Sequence, residues 1–190
     1  MYMLLRAKGR QEQAIRHSDL NYTIIRSTSL YGRHDHFLNN IVGLAAWTWP
    51  VVVLPGNGAM AVQPLWVEDF VRVMLQTVAR DDLAQRTIEV AGEERMTYAA
   101  MVEKALQIAG LARRPVRVHP LVLRPFAALT FGWWRRPAFN PFFLQRLAVP
   151  DITELDAISH HFGFRPHSFI KTIPYLRRTG HRRRLLWGGS

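Results

Sequence analysis

An α/β fold built on an incomplete parallel sheet is the class this sequence predicts, and three observations predict it. The run Tyr22-Thr23-Ile24-Ile25 is aromatic and β-branched, as a strand buried on both faces requires. A second run, Thr87 to Val90, reads as another short strand and ends at Ala91-Gly92. Between them Phe70, Val71, Met74, Leu75 and Val78 recur at helical spacing. Strand, helix, strand is a right-handed crossover when the two strands are parallel. Two strands alone make a poor parallel sheet, and an exposed apolar edge at Tyr22 to Ile25 invites unwanted pairing. The pattern therefore predicts the last two strands of a larger sheet, with the remainder supplied by a partner segment.

The other elements follow in chain order. Leu4, Leu5, Ala7, Gln11, Ala14 and Ile15 make a modest helical stripe that Ser18 and Asp19 end. Phe37 to about Ala46 predicts a helix, and Pro50 breaks the chain into an extended piece at Val51 to Leu54. Pro55-Gly56-Asn57-Gly58 is a turn, because glycine and asparagine accept positive φ. Ala59 to Val67 reads as extended, with Pro64 hinting at a sheet edge. The insertion between first strand and crossover helix thus covers about residues 27–68. Asp69 is expected to cap the crossover helix and Thr97 the next one. Met96 and Met101 are placed to staple that second entry. Its apolar face is Val102, Ala105, Ile108 and Ala109, and Gly110 stops it. Past residue 111, prolines at 115, 120, 125, 137, 141 and 150 punctuate the chain, and aromatics crowd Phe126 to Phe143. Thr153 with Asp156 is expected to open a last short helix that Gly163 closes.

Composition narrows the function. The 190 residues are 48% hydrophobic, enough for a sizeable core. The chain has no cysteine, which excludes disulfide scaffolds and thiolate metal sites and fits a reducing cytosol. A formal net charge of +11 suits an acidic partner, anionic lipid or nucleic acid. Arg177, Arg178, Arg182, Arg183 and Arg184 gather in a basic tail beside His181. No leader of signal-peptide type is visible, and the apolar stretches Ile41 to Leu54 and Leu121 to Trp134 are too short to span a bilayer. A cytoplasmic protein is expected, touching the cytoplasmic face of a membrane peripherally through its basic C-terminus.

Other chemistries find little support. Arg33-His34-Asp35-His36 offers two histidines that converge only on a strand face, with no obvious third ligand, so no metal is expected. Glu68-Asp69 and Glu93-Glu94 are adjacent carboxylates that point apart on a regular element. No G-x-S-x-G nucleophile turn occurs. Trp133, Trp134, Arg135 and Arg136 suit a core or lid, or else a membrane interface or partner groove.

One ordered series of motifs is more specific. It runs Leu5-Arg6-Ala7-Lys8-Gly9, Tyr22-Thr23-Ile24-Ile25-Arg26, Leu30-Tyr31-Gly32 with Asp35, and Phe37-Leu38-Asn39. Pro55-Gly56-Asn57-Gly58, the stretch Gln63 to Asp69, and Gly163-Phe164-Arg165-Pro166 complete it. The series resembles the extended and atypical short-chain dehydrogenase/reductases, which are NAD-dependent epimerase/dehydratase-like proteins with a Rossmann-like sheet. More narrowly it resembles the branch that includes the 39 kDa accessory subunit of respiratory complex I. The resemblance covers nearly the whole chain. It implies three parts: residues 1–110 as the C-terminal part of an NAD(P)-binding domain, residues 111–176 as a mixed, mainly helical substrate-side lobe, and residues 177–190 as a basic tail.

The resemblance also assigns roles. Family members hold the cofactor pyrophosphate on a Gly-rich loop at a helix N-terminus, and no such loop precedes Lys8. Lys8 matches the family lysine that bonds the nicotinamide ribose and lowers the pKa of a tyrosine four residues earlier. Leu4 stands at that tyrosine's place, while Tyr2 falls on another helix face. Ser27, Thr28 and Ser29 follow the strand where relatives line nicotinamide and substrate, although many relatives have proline at the position of Ser27. Tyr31, Asn39, Gln63 and Trp66 fall on the substrate side. The implied function is NAD or NADP binding with an incomplete catalytic pair; an intact relative would be an epimerase, dehydratase or oxidoreductase. This polypeptide by itself lacks the main cofactor grip, so a missing N-terminal half or another subunit is the expected partner. The rival reading is a non-catalytic accessory or assembly subunit of a membrane-associated respiratory or quinone-linked complex. A basic nucleic-acid-binding module is a weaker third, without an RNP-like or helix-turn-helix pattern behind it.

Overall fold

The structure, a computed structural model, describes residues 3–119, 122 and 150–177. The aromatic stretch Phe126 to Phe143, with Trp133 to Arg136, and most of the basic tail lie outside the described residues, as do Tyr2 and the side chain of Leu4.

The crossover forms as the pattern requires. Helix α1 (Met3–Arg16) leads into strand β1 (Thr23–Ser27), which pairs in parallel with β6 (Arg86–Val90), from Thr23↔Arg86 to Ser27↔Val90. Helix α3 (Val67–Val78) crosses between them. Among the described residues β1 pairs on one side only, so this sheet is two strands wide.

The insertion is more structured than a loop. Strand β2 (Leu30–Tyr31) pairs in parallel with β5 (Leu65–Trp66), and β4 (Ala61–Val62) pairs antiparallel with β7 (Met96–Thr97). Helix α2 (Leu38–Trp47) and strand β3 (Val51–Pro55) precede them. Asp35 fastens the start of α2: one carboxylate oxygen accepts from Phe37 N at 2.7 Å and Asn39 N at 3.1 Å. The other accepts from Gly32 N at 2.8 Å and from the Tyr175 hydroxyl at 3.0 Å. Helix α4 (Tyr98–Ile108) is capped by Thr97, whose hydroxyl accepts from Ala100 N at 3.1 Å. Gly110 ends its turn at φ 71°, and Leu111 N reaches back to Leu106 O at 2.9 Å.

Several expectations are corrected. A strand the proline-rich pattern concealed, β8 (Arg114–Val118), pairs with β3 in parallel, with Pro115 opposite Val52. Proline is tolerated because β8 is an edge. The crossover helix starts at Val67, before Asp69, so Asp69 is not its cap. Its carboxylate is buried inside the first turn and accepts from His167 N and His167 Nδ1, both at 2.7 Å. Thr153 does not open the last clear helix, α5 (Ala157–Phe162). Its hydroxyl donates to Glu89 Oε2 at 2.7 Å instead. After the left-handed Gly163, helix α6 (Phe169–Thr172) follows.

Two clusters make the core. One joins α2, β3 and α4 to Phe169, Ile173 and Leu176; the other packs Val73, Leu83, Ile88 and Val90 against Ile158, Phe162 and Phe164. The predicted stripe of α3 is largely not in either. Val71, Leu75 and Val78 are 49%, 68% and 85% exposed, whereas Val73 is fully covered. A sheet two strands wide covers only one flank of the helix.

Helix α1 is held onto the sheet by polar contacts. Arg16 Nη2 donates to Thr87 Oγ1 at 2.7 Å, and Arg26 donates to both Glu12 oxygens, at 3.0 and 2.7 Å. The hydrogen bond from Arg26, above all, holds the Glu12 carboxyl below its ordinary value. A pKa lowered in the folded state contributes stability at neutral pH that is lost as pH falls through that value. Glu12→Gln is therefore expected to cost less than about 1 kcal/mol at neutral pH, because the pair is partly exposed. The difference should shrink below about pH 4. Urea midpoints at the two pH values check this, and a gap independent of pH contradicts it.

Candidate functional site

Parallel sheets bind ligands beyond the C-terminal ends of their strands, and here that end belongs to Ser27 on β1 and Val90 on β6. Helix α1 runs antiparallel to β1, so its contacts give a ruler. Arg16 meets Thr87 near the strand starts, and Glu12 meets Arg26 one residue before Ser27. Lys8 lies one turn further on the same helix face. It is exposed and lies toward the end of α1 that is further from the strand starts. Of the residues read as cofactor-side, Lys8 and Ser27 remain the accessible pair.

Thr28 and Ser29 are buried and engaged within the chain. Thr28 N donates to Val90 O at 3.1 Å, and its hydroxyl donates to Gln63 O at 2.6 Å. Ser29 donates through N, at 2.8 Å, and through its hydroxyl to one oxygen of Asp151. Gln63 has no exposed surface. Its Nε2 donates to Gly92 O at 2.7 Å, while its Oε1 accepts from Thr153 N at 3.1 Å and Arg95 Nε at 3.4 Å. These groups pin the strand ends to the segment at 151–153. Sequence reading missed Asp151, because its partner lies 122 positions away and nothing local marks the pairing.

Tyr31 and Trp66 do come together, with ring centroids 5.4 Å apart, and Tyr175 packs on Trp66 at 5.8 Å. Asn39 sits beside the same loop, its Nδ2 donating to Gly32 O at 3.1 Å and Arg33 O at 3.3 Å. Trp66 and Tyr175 line an open cavity of about 460 Å³ with Arg33, Glu68, His167 and Lys171. Burial pushes the Tyr31 phenol up, and burial with the nearby Asp35 carboxylate pushes Tyr175 up further. Both hydroxyls stay protonated near neutrality. Among the described residues no group of three His, Asp or Glu side chains could hold a metal ion.

No family model matches the chain. Comparison of the fold shows likeness to nucleotide-sugar enzymes: UDP-glucuronic acid 4-epimerase from Bacillus cereus, in complex with UDP-glucuronic acid and NAD, aligns with a TM-score of 0.61. The alignment covers 91% of this chain and 50% of that one at 12% identity. The fold is thus Rossmann-like and similar to about half of that epimerase. By sequence it has weak homology to two mitochondrial respiratory subunits. Mouse NADH dehydrogenase (ubiquinone) 1 alpha subcomplex subunit 9 is 25% identical over 181 residues, covering 92% of this chain and 46% of that protein. The 40 kDa subunit of Neurospora crassa NADH-ubiquinone oxidoreductase is 27% identical over 130 residues, covering 67% and 33%. The chain spans between a third and a half of the length of these relatives.

Proposed function

We propose that this chain is the C-terminal portion of an NAD(P)-binding unit that works as a non-catalytic accessory subunit on a membrane-associated respiratory or quinone-linked complex. The observation that carries the reading is Lys8 on the helix that leads into β1, with Leu4, a side chain that cannot ionise, one turn before it. This retains the ribose-binding half of the usual pair and omits its acid. The open edge of β1 and the uncovered flank of α3 favour a further α/β segment, in the same polypeptide or another, that brings the phosphate-binding loop. The homology to respiratory NADH dehydrogenase subunits supports the accessory role, and the basic C-terminus supports a peripheral place at the cytoplasmic face of a membrane.

Titration of the chain with NAD and NADP, alone and with an added N-terminal half from a relative, tests this. Alone it is expected to bind at best weakly; completed, it should bind in a manner that Lys8→Ala weakens, without turning over a nucleotide sugar. Tight binding by the chain alone overturns the need for a partner. Turnover by the completed unit overturns the non-catalytic role.

A further inference from the structure

Asp and Glu are absent from residues 36–67 and again from residues 104–150. The fold brings these two stretches together, since β3 pairs with β8 along its length and α2 packs on α4. The one carboxylate carried by those four elements is Glu103. One corner of this region is unusual. Arg113 Nε donates to Ala45 O at 2.6 Å, and Arg114 N donates to Pro50 O at 3.0 Å. These bonds set the start of β8 against the end of α2, so that Trp47 and Trp49 share a corner with Arg113 and Arg114. Trp49 is 72% exposed, Trp47 47% and Val116 41%. Arg114 and Val116 lie on one face of β8, and both are exposed; Arg117 is exposed on the opposite face.

Two indoles in water beside uncompensated guanidinium groups are costly unless something meets both. An indole has an apolar body and a polar N–H, which favour the headgroup level of a bilayer. Arginines there gain from anionic lipid. The aliphatic Val116 adds to insertion but not to stacking on a nucleic-acid base, which rewards aromatic faces. Among the described residues no helix is long and apolar enough to cross a membrane, so the contact is interfacial. We infer that the corner formed by Trp47, Trp49, Arg114 and Val116 is a docking surface for an anionic phospholipid bilayer. The chain that continues from β8 is acid-free as well and carries Trp133, Trp134, Arg135 and Arg136. The surface is separate from Lys8 and Ser27, so this inference stands or falls independently of cofactor binding.

The test is flotation of the full chain with phosphatidylcholine vesicles, with and without phosphatidylglycerol. Binding is expected only with phosphatidylglycerol and should weaken as salt rises. Arg114→Glu should lower vesicle affinity roughly tenfold, and Trp49→Ala should lower it separately while Trp49→Phe largely retains it. Circular dichroism confirms folding; should Trp49→Ala fail to fold, the Arg114 variant alone decides. Unchanged affinity in the arginine variant overturns the proposal, and so does equal binding to neutral vesicles. Tighter binding to single-stranded oligonucleotide, lost in the same variants, overturns it in favour of nucleic acid.

Discussion

Gly92→Ala is expected to destabilise the chain by about 3 kcal/mol or more, a large share of the roughly 5–15 kcal/mol that holds a domain together. A Cβ at this position would lie 1.9 Å from Pro64 O and 2.9 Å from Pro64 C. Both obstacles are backbone, and that backbone is fixed on either side. Leu65 N donates to Ser29 O at 2.9 Å, and Gln63 Nε2 holds Gly92 O itself. Neither strand end can retreat without breaking a buried bond. The glycine is required by close approach and not by its dihedral angles, since positive φ belongs to Gly56, Gly58, Gly110 and Gly163. Urea unfolding gives the measurement, and a midpoint matching the wild type would show that the contact relaxes freely.

Gln63→Leu is expected to cost about 3 kcal/mol, although leucine is close in size and suits a buried site. The amide satisfies Gly92 O, Thr153 N and Arg95 at once. Removing it leaves a buried carbonyl and a partly buried N–H without that partner, at about 1–3 kcal/mol each. Because Gln63 and Gly92 share one hydrogen bond, the double variant should lose less than the sum of the two. Equal stability of Gln63→Leu and the wild type, by urea midpoint, would show that water replaces the amide without loss. An additive double variant would show that the two residues act separately.

These two positions mark where sequence reading reached and where it stopped. Gln63 and Trp66 were singled out by a family resemblance that places them on the substrate side. In the fold Gln63 is a buried tie between the strand ends and Thr153, and Trp66 is a wall shared by the core and the cavity. Asp69 has the residue type and position of an N-cap, but the helix starts earlier at Val67 and its carboxylate serves His167. Capping depends on local backbone; service to a loop 98 residues away does not, and no local pattern announces it. Asp151 was invisible for the same reason. Pro115 hid β8, because proline depletes strands in general and an edge position is known only once the partner strand is known.

The sequence alone determined the parallel crossover, the Thr97 cap, the Gly110 and Gly163 stops, and Leu4 one helical turn before Lys8. All of these rest on periodicity, local backbone preference or residue identity, which act within a few positions. The tertiary structure alone decided that Thr28 and Ser29 are engaged with Gln63 and Asp151, and that two acid-free stretches meet at one basic, Trp-bearing corner. Those facts depend on which distant segments pack together. That choice is made by burial and pairing across the whole chain, which no single stretch of it encodes.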